Sequence, residues 1–457
     1  MTAARVLHHR RINWLRWCIE ARLTFKLGLP IAFGMVGQMM LGIADTAMIA
    51  RVGVLPLAAG ALVNTVAHIP LVVGMGMLAA ISIRTAHSYG ANRPTDVAEW
   101  LRHGLLLGAL AGLFSGVSLT WLGNHLHRLG QPADVVAAAD AYLLLFGWSL
   151  LPALISHSAK QVCEALNDPW PPMLILLGGV LLNIFLNWVL IFGRLGAPAL
   201  GLEGAGIATI LARVAMMIAS ILYVLSAERL RKFRPVNWLS GWSLRRLKDL
   251  FQLGFPVAIQ HLMEVGAFVF GAIMMGWISA DAMAAHQIAV TCAATAFIIA
   301  LSVGLAVSVR VGHAWGARMF GRLRKIAYGG LSMGVGAMSL CAILFFLGGR
   351  MIGGWFVESE PVIQLVAALL IVAGFFQIAD GTQVVMISAL RGIGDVRVPT
   401  AIAALAYWVI ALPVAYVFAF PLGYGAVGIW IGLAAGLGTA AIGLTWRFVI
   451  RSRPASA

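Results

Sequence analysis

Charge is scarce in this sequence: Asp, Glu, Lys and Arg together make up 11% of 457 residues, and 17 residues are acidic. So little polar surface cannot cover a water-soluble body, which excludes a cytosolic enzyme, a nucleic-acid-binding domain and a disordered scaffold. Cysteine is scarce as well. Cys18, Cys163, Cys292 and Cys341 stand far apart with no C-x-x-C pair, so neither a disulfide framework nor a zinc site is indicated. No H-E-x-x-H motif and no close His–carboxylate set points to a metal, although His68, His157, His261 and His286 fall in or near apolar segments. The basic N-terminus runs into a long apolar segment without a small-residue cleavage site, which reads as a retained first span and not as a secretory signal.

What is present is apolar. The residues AVILMFWYC make up 61% of the chain and the mean hydropathy is +0.92, well above the composition of soluble domains. A bilayer core needs about 20 mainly apolar residues per helix. Breaks at charged, Pro and Gly clusters leave twelve such segments: 27–50, 54–80, 102–123, 136–160, 171–193, 203–226, 252–276, 283–309, 326–348, 361–389, 398–420 and 425–447. Runs of helical length with short links exclude a β-barrel, whose strands would be about 10 residues of alternating polarity. The expectation is an all-α polytopic membrane protein.

The net charge of +15 finds its explanation in the same segments. With the N-terminus inside, 27 of the 32 Lys and Arg fall in cytoplasmic segments, Arg51, Arg128, Arg194 and Arg350 in the opposite loops, and Arg213 within the sixth span. That asymmetry predicts both termini in the cytoplasm. The basic N-terminus (Arg5, Arg10, Arg11, Arg16, Arg22, Lys26) and the central run from Arg229 to Lys248 then orient the protein and meet anionic lipid. Nucleic acid is not needed as a partner.

The chain also repeats itself. Leu27-Gly28-Leu29-Pro30 matches Leu253-Gly254-Phe255-Pro256 at an offset of 226, and the same offset aligns Ser82-Ile83-Arg84 with Ser308-Val309-Arg310 and His87 with His313. Each half holds six spans, an even number, so the repeats are parallel. Residues 1–26 form a basic N-terminal segment, 27–226 an N-lobe, 227–251 a cytoplasmic linker, 252–447 a C-lobe and 448–457 a tail. Two six-helix bundles about a central cavity suit a transporter that exposes its site to each side in turn.

Three acids lie well inside spans, where charge is expensive and is read first as functional: Asp45, Glu264 and Asp380. A desolvated carboxyl there is either protonated or held ionised by a cation, so it can exchange H⁺ or Na⁺ for a cationic substrate. A structural hydrogen bond to a neighbouring helix is the alternative role. Gln38 is two helical turns before Asp45 and, by the 226 offset, is the repeat partner of Glu264. Gln260 lies one turn before Glu264, and Gln377, Asp380 and Gln383 form a stripe spaced by three. Asn183 and Asn187, four apart on an apolar helix, fit interhelical hydrogen bonding and an ion site equally well. Gly432, Gly436 and Gly438 are expected to permit close packing, Pro413 to kink the eleventh span, and Pro30 and Pro256 to sit near the starts of their helices.

Several stretches carry a resemblance. Gly42-Ile43-Ala44-Asp45-Thr46, Ala284-Ala285-His286-Gln287-Ile288-Ala289, Ser308-Val309-Arg310-Val311-Gly312-His313, Asp380-Gly381-Thr382-Gln383, Leu390-Arg391-Gly392 and Asn183-Ile184-Phe185-Leu186-Asn187-Trp188 look like the multidrug and toxic compound extrusion (MATE) family, NorM-like branch, over about 25–447. The resemblance implies two six-helix lobes forming a V around a central cavity. It also implies efflux of organic cations, dyes and fluoroquinolone-type drugs driven by inward Na⁺ or H⁺, from a bacterial inner membrane. Carried over by position, Glu264 and Asp380 resemble a C-lobe cation site, Na⁺ included, and Asp45 with Asn183 and Asn187 an N-lobe site. Gln38, Gln260, Gln287, Gln377 and Gln383 are expected to line the cavity. Phe376, one turn before Asp380, departs from members that place a hydroxyl there. No cofactor is implied beyond the coupling ion, and a monomer is expected. A flippase for lipid-linked precursors or an exporter of polysaccharides should need several intramembrane cations. A membrane prenyltransferase should show paired Asp-rich motifs, which are absent.

Overall fold

The computed structural model describes residues 2–238 and 241–453, with side chains described from residue 19 onward except at 129. Arg5, Arg10, Arg11, Arg16 and Cys18, and the end of the tail, therefore lie outside the described side chains. The helices are α1 (Thr2–Ala50), α2 (Val54–Gly90), α3 (Pro94–Gly123), α4 (Ala133–Ala165), α5 (Trp170–Phe192), α6 (Gly201–Ser226), α7 (Leu244–Ile278), α8 (Ala280–Gly316), α9 (Phe320–Phe356), α10 (Glu360–Gly392), α11 (Arg397–Ala404), α12 (Leu412–Ala419) and α13 (Gly425–Arg451). Among the described residues no strand occurs, and twelve helices are long and apolar enough to cross a membrane. The protein is a multi-pass membrane protein. Several helices run past the apolar stretch that announced them, α2 to Gly90 and α3 from Pro94. Hydropathy marks what lies at bilayer depth, whereas backbone hydrogen bonding continues until a cap or a proline stops it.

The chain forms two compact units, residues 33–258, and residues 1–32 with 259–457. The division falls inside α1 and α7 at equivalent places, two residues after Pro30 and two after Pro256. Both prolines therefore lie within continuous helix, not near its start as expected from the apolar runs. Each unit has the same internal packing. In residues 33–258, α4 packs on α2, α3 and α6; in the other, α10 packs on α8, α9 and α13. The helix ends repeat too: Asn92 after α2 and Arg318 after α8 both take a left-handed φ, of 55° and 57°. Arg84 of α2 pairs with Asp249 of α7 in one unit, and its repeat partner Arg310 of α8 pairs with Glu20 of α1 in the other. Glu20 also accepts from Arg322 at 2.8 Å.

Close helix approach rests on small residues, as expected where hydrocarbon surrounds the helices and dispersion contacts replace a hydrophobic drive. A Cβ on Gly432 would come within 2.2 Å of the Ala415 backbone, and one on Gly436 within 2.4 Å of Ala411 Cβ, so α13 touches α12 and the segment just before it along this row. Gly438 faces open space instead. The eleventh span departs from a regular helix. Between α11 and α12 lies a π-helical turn, Leu405–Ala411, with Pro413 in the first turn of α12. The wider turn relieves the clash between a proline ring and the carbonyl four residues back, so the expected kink takes this form.

Candidate functional site

In residues 33–258, the buried acid Asp45 of α1 meets α5 and α6. Asn187 Nδ2 donates to Asp45 Oδ1 at 2.6 Å and lies 3.0 Å from Asn183 Oδ1. Asn183 Nδ2 reaches Thr209 Oγ1 at 3.4 Å, and the Thr209 hydroxyl donates to the Ala205 carbonyl. The two asparagines thus tie three helices together around a carboxylate, and the Oδ1 of Asn187 stays buried without a hydrogen-bond donor. One turn beyond Thr209 on α6, Arg213 Nη1 donates to Ser149 Oγ at 2.6 Å and the guanidinium lies 4.6 Å from the Phe146 ring centre. Asp45 is within longer electrostatic reach of Arg213. Gln38 is exposed and lines a cavity of about 100 Å³ together with His157, Lys160 and Arg213.

In the other unit, Asp380 of α10 is buried, and Glu264 of α7 is half-buried within electrostatic reach of Asp380, Arg391 and Tyr407. Arg391 Nη2 donates to Gln260 Oε1 at 2.8 Å and lies 3.4 Å from His261 Nε2. The Tyr407 hydroxyl, carried on the π-helical turn, donates to Gln383 Oε1 at 3.2 Å. Gln377 Nε2 reaches the Ala293 carbonyl at 3.4 Å and leaves its Oε1 buried without a donor. Gln260, Gln377 and Gln383 are thus buried among the helices, whereas Gln287 lies on an exposed face of α8. Phe376 packs on Trp430 at 5.5 Å and Phe268 at 6.1 Å, so aromatic packing occupies the place of a hydroxyl. Trp430 Nε1 donates to His286 Nδ1 at 3.2 Å, an ordinary buried histidine. No three His, Cys, Asp or Glu side chains among the described residues gather as a metal set.

Hydropathy ends the tenth span at 389 and places Arg391 in the cytoplasmic link, whereas in the structure it is the penultimate residue of α10. It is 6% exposed, lies in the last turn of α10 and is within electrostatic reach of Glu264. Its spacing of eleven from Asp380, three helical turns, was the available signal. Tyr407 and Thr209, each a hydroxyl in an apolar run, went unnoticed because a single Tyr or Thr is common in spans.

Three comparisons bear on this geometry. The MatE family model matches residues 30–189 and again 256–417, so it recognises each half of the repeat separately. Over 436 residues the chain is 36% identical to "Probable multidrug resistance protein NorM" of Bradyrhizobium diazoefficiens, covering 94% of this chain and 93% of that protein. A protein of the same name from Brucella suis is 34% identical over 95% of this chain and 93% of its own length. Among solved structures, a substituted form of the Vibrio cholerae MATE transporter VcmN superposes with a TM-score of 0.88 at 22% identity, covering 96% of this chain and 99% of that one. The eukaryotic MATE transporter AtDTX14 gives 0.85 at 20% identity, over 95% and 96%. These two likenesses speak for the fold.

Proposed function

The chain belongs to the MatE family, and from that premise we propose that it exports cationic amphipathic small molecules, multidrug substrates among them, by antiport with Na⁺ or H⁺ through alternating access. The observation that carries this reading is an excess of acid at membrane depth: Glu264 is within electrostatic reach of both Asp380 and Arg391, and Arg391 is the one guanidinium so placed among the described residues. With both carboxylates ionised the set carries one negative charge too many. Low-dielectric surroundings penalise that excess strongly, and a proton, a Na⁺ or a cationic amine each restores neutrality. Because one charge suffices, the occupants compete, and such competition is what couples inward ion flow to outward drug movement. By reciprocity, ion entry lowers drug affinity as much as drug binding lowers ion affinity. One charge crossing 100 mV supplies about 2.3 kcal/mol. Asp45 with Asn183 and Asn187 forms a second polar site of the same transporter. The charge distribution of the loops supports cytoplasmic termini, and the bacterial relatives support a bacterial inner membrane location.

The test uses inverted vesicles or proteoliposomes preloaded with a fluorescent organic cation. Glu264→Gln and Asp380→Asn should each abolish efflux while the protein remains in the membrane, and wild-type export by both variants would remove these acids from the mechanism. Replacing Na⁺ by K⁺ at fixed pH separates the two couplings: undiminished efflux excludes obligatory Na⁺ exchange.

A further inference from the structure

Arg213 is an arginine at membrane depth, and nothing in the efflux of simple cations calls for it there. Such a residue is costly unless it meets a partner. Lys160, on the same cavity wall, is answered by Glu164 at 3.6 Å. Arg213 has no carboxylate within 4.0 Å among the described residues: Asp45, the acid within longer reach, commits its Oδ1 to Asn187 at 2.6 Å. The arginine is nevertheless held in place. Ser149 accepts one N–H at 2.6 Å and Phe146 covers one face of the guanidinium at 4.6 Å. A second bond between the same helices, Ser156 Oγ to Ser220 Oγ at 2.9 Å, lies two turns farther along both α4 and α6 and fixes their register. Stacking occupies a face and leaves the in-plane N–H donors, which are not sealed in protein and border the cavity of about 100 Å³. In-plane donors of a positioned guanidinium match a planar carboxylate.

We propose that Arg213 is the anchor for the carboxylate of substrates that carry one, zwitterions included. This deepens the efflux reading and rests on it for the word substrate, but the binding itself stands apart from transport. A molecule that bears a carboxylate finds a guanidinium already held by Ser149 and Phe146 at the cavity wall, whereas a purely cationic molecule gains nothing from Arg213.

The experiment measures binding to the purified full chain in detergent, with a fluoroquinolone bearing its free carboxylate and with the methyl ester of the same molecule. Wild type should bind the acid about tenfold more tightly than the ester, the scale of one charge-assisted hydrogen-bonded pair. Arg213→Gln should erase that preference and leave ester affinity within about twofold, and Arg213→Lys should keep part of it. Ester binding reports that the variants remain folded. An equal preference in Arg213→Gln would overturn the proposal, as would equal loss of both ligands by a variant that keeps the wild-type size-exclusion profile and melting temperature, or a preference that disappears when anionic phospholipid is added to the micelles, which would assign the arginine to a lipid headgroup. Retained binding preference without export of either compound would overturn the efflux reading alone.

Discussion

Asn187 shows how one side chain can serve a buried acid. Its amide nitrogen sits 2.6 Å from Asp45 Oδ1 and 3.0 Å from Asn183 Oδ1, so removing it strands two acceptors where water cannot replace the donor. Asn187→Leu, of similar volume, should lower unfolding stability in detergent by about 1–3 kcal/mol, the usual penalty for an unsatisfied buried group. Adding Asp45→Asn should recover part of that loss in a double-mutant cycle, and strict additivity of the two would show that the pair does not interact. At this scale the sequence was legible where chemistry is conspicuous. A carboxylate inside an apolar run stands out alone, so Asp45, Glu264 and Asp380 could be picked without coordinates. Arg391 sits at the edge of its apolar run and Tyr407 is unremarkable in a membrane helix. Only the approach of α7, α10 and the π-helical turn makes either a neighbour of Glu264.

Helices in this protein are joined by what is missing from their surfaces as much as by what is present. The row Gly428, Gly432 and Gly436 lets α13 lie against α12 and the π-helical turn before it, and any side chain there must push a helix away. Gly432→Val should therefore sharply reduce the yield of folded protein and its melting temperature, while Gly438→Ala, at a position facing open space, should change neither; fluorescence-detected size-exclusion profiles at rising temperature read both. Equal behaviour of the two variants would show that α12 and α13 do not depend on this contact. Element existence was plain in the sequence because hydropathy over about 20 residues is a local property. The π-helical turn was only half visible. Pro413 announces an irregularity, but whether a helix answers by bending or by widening a turn depends on its packing partner, here α13.

For the whole molecule, orientation follows from charge. Single cysteines replacing Arg51 or Arg194 in a cysteine-free chain should react with a membrane-impermeant thiol reagent added outside intact cells, and one replacing Arg318 should react only after permeabilisation; the opposite pattern would invert the assigned topology. The twelve spans, the 226-residue repeat and the charge asymmetry were all determined by the sequence alone, because each is a matter of composition or register along the chain. What only the tertiary structure decided is where the compact units divide. Residues 1–32 fold with 259–457, and 33–258 carry the start of α7, so Arg84 finds Asp249 and Arg310 finds Glu20. Those partners lie 165 and 290 residues apart. No periodicity encodes such pairings, since which acid an arginine meets depends on the packing of whole helices against one another and not on their spacing along the chain.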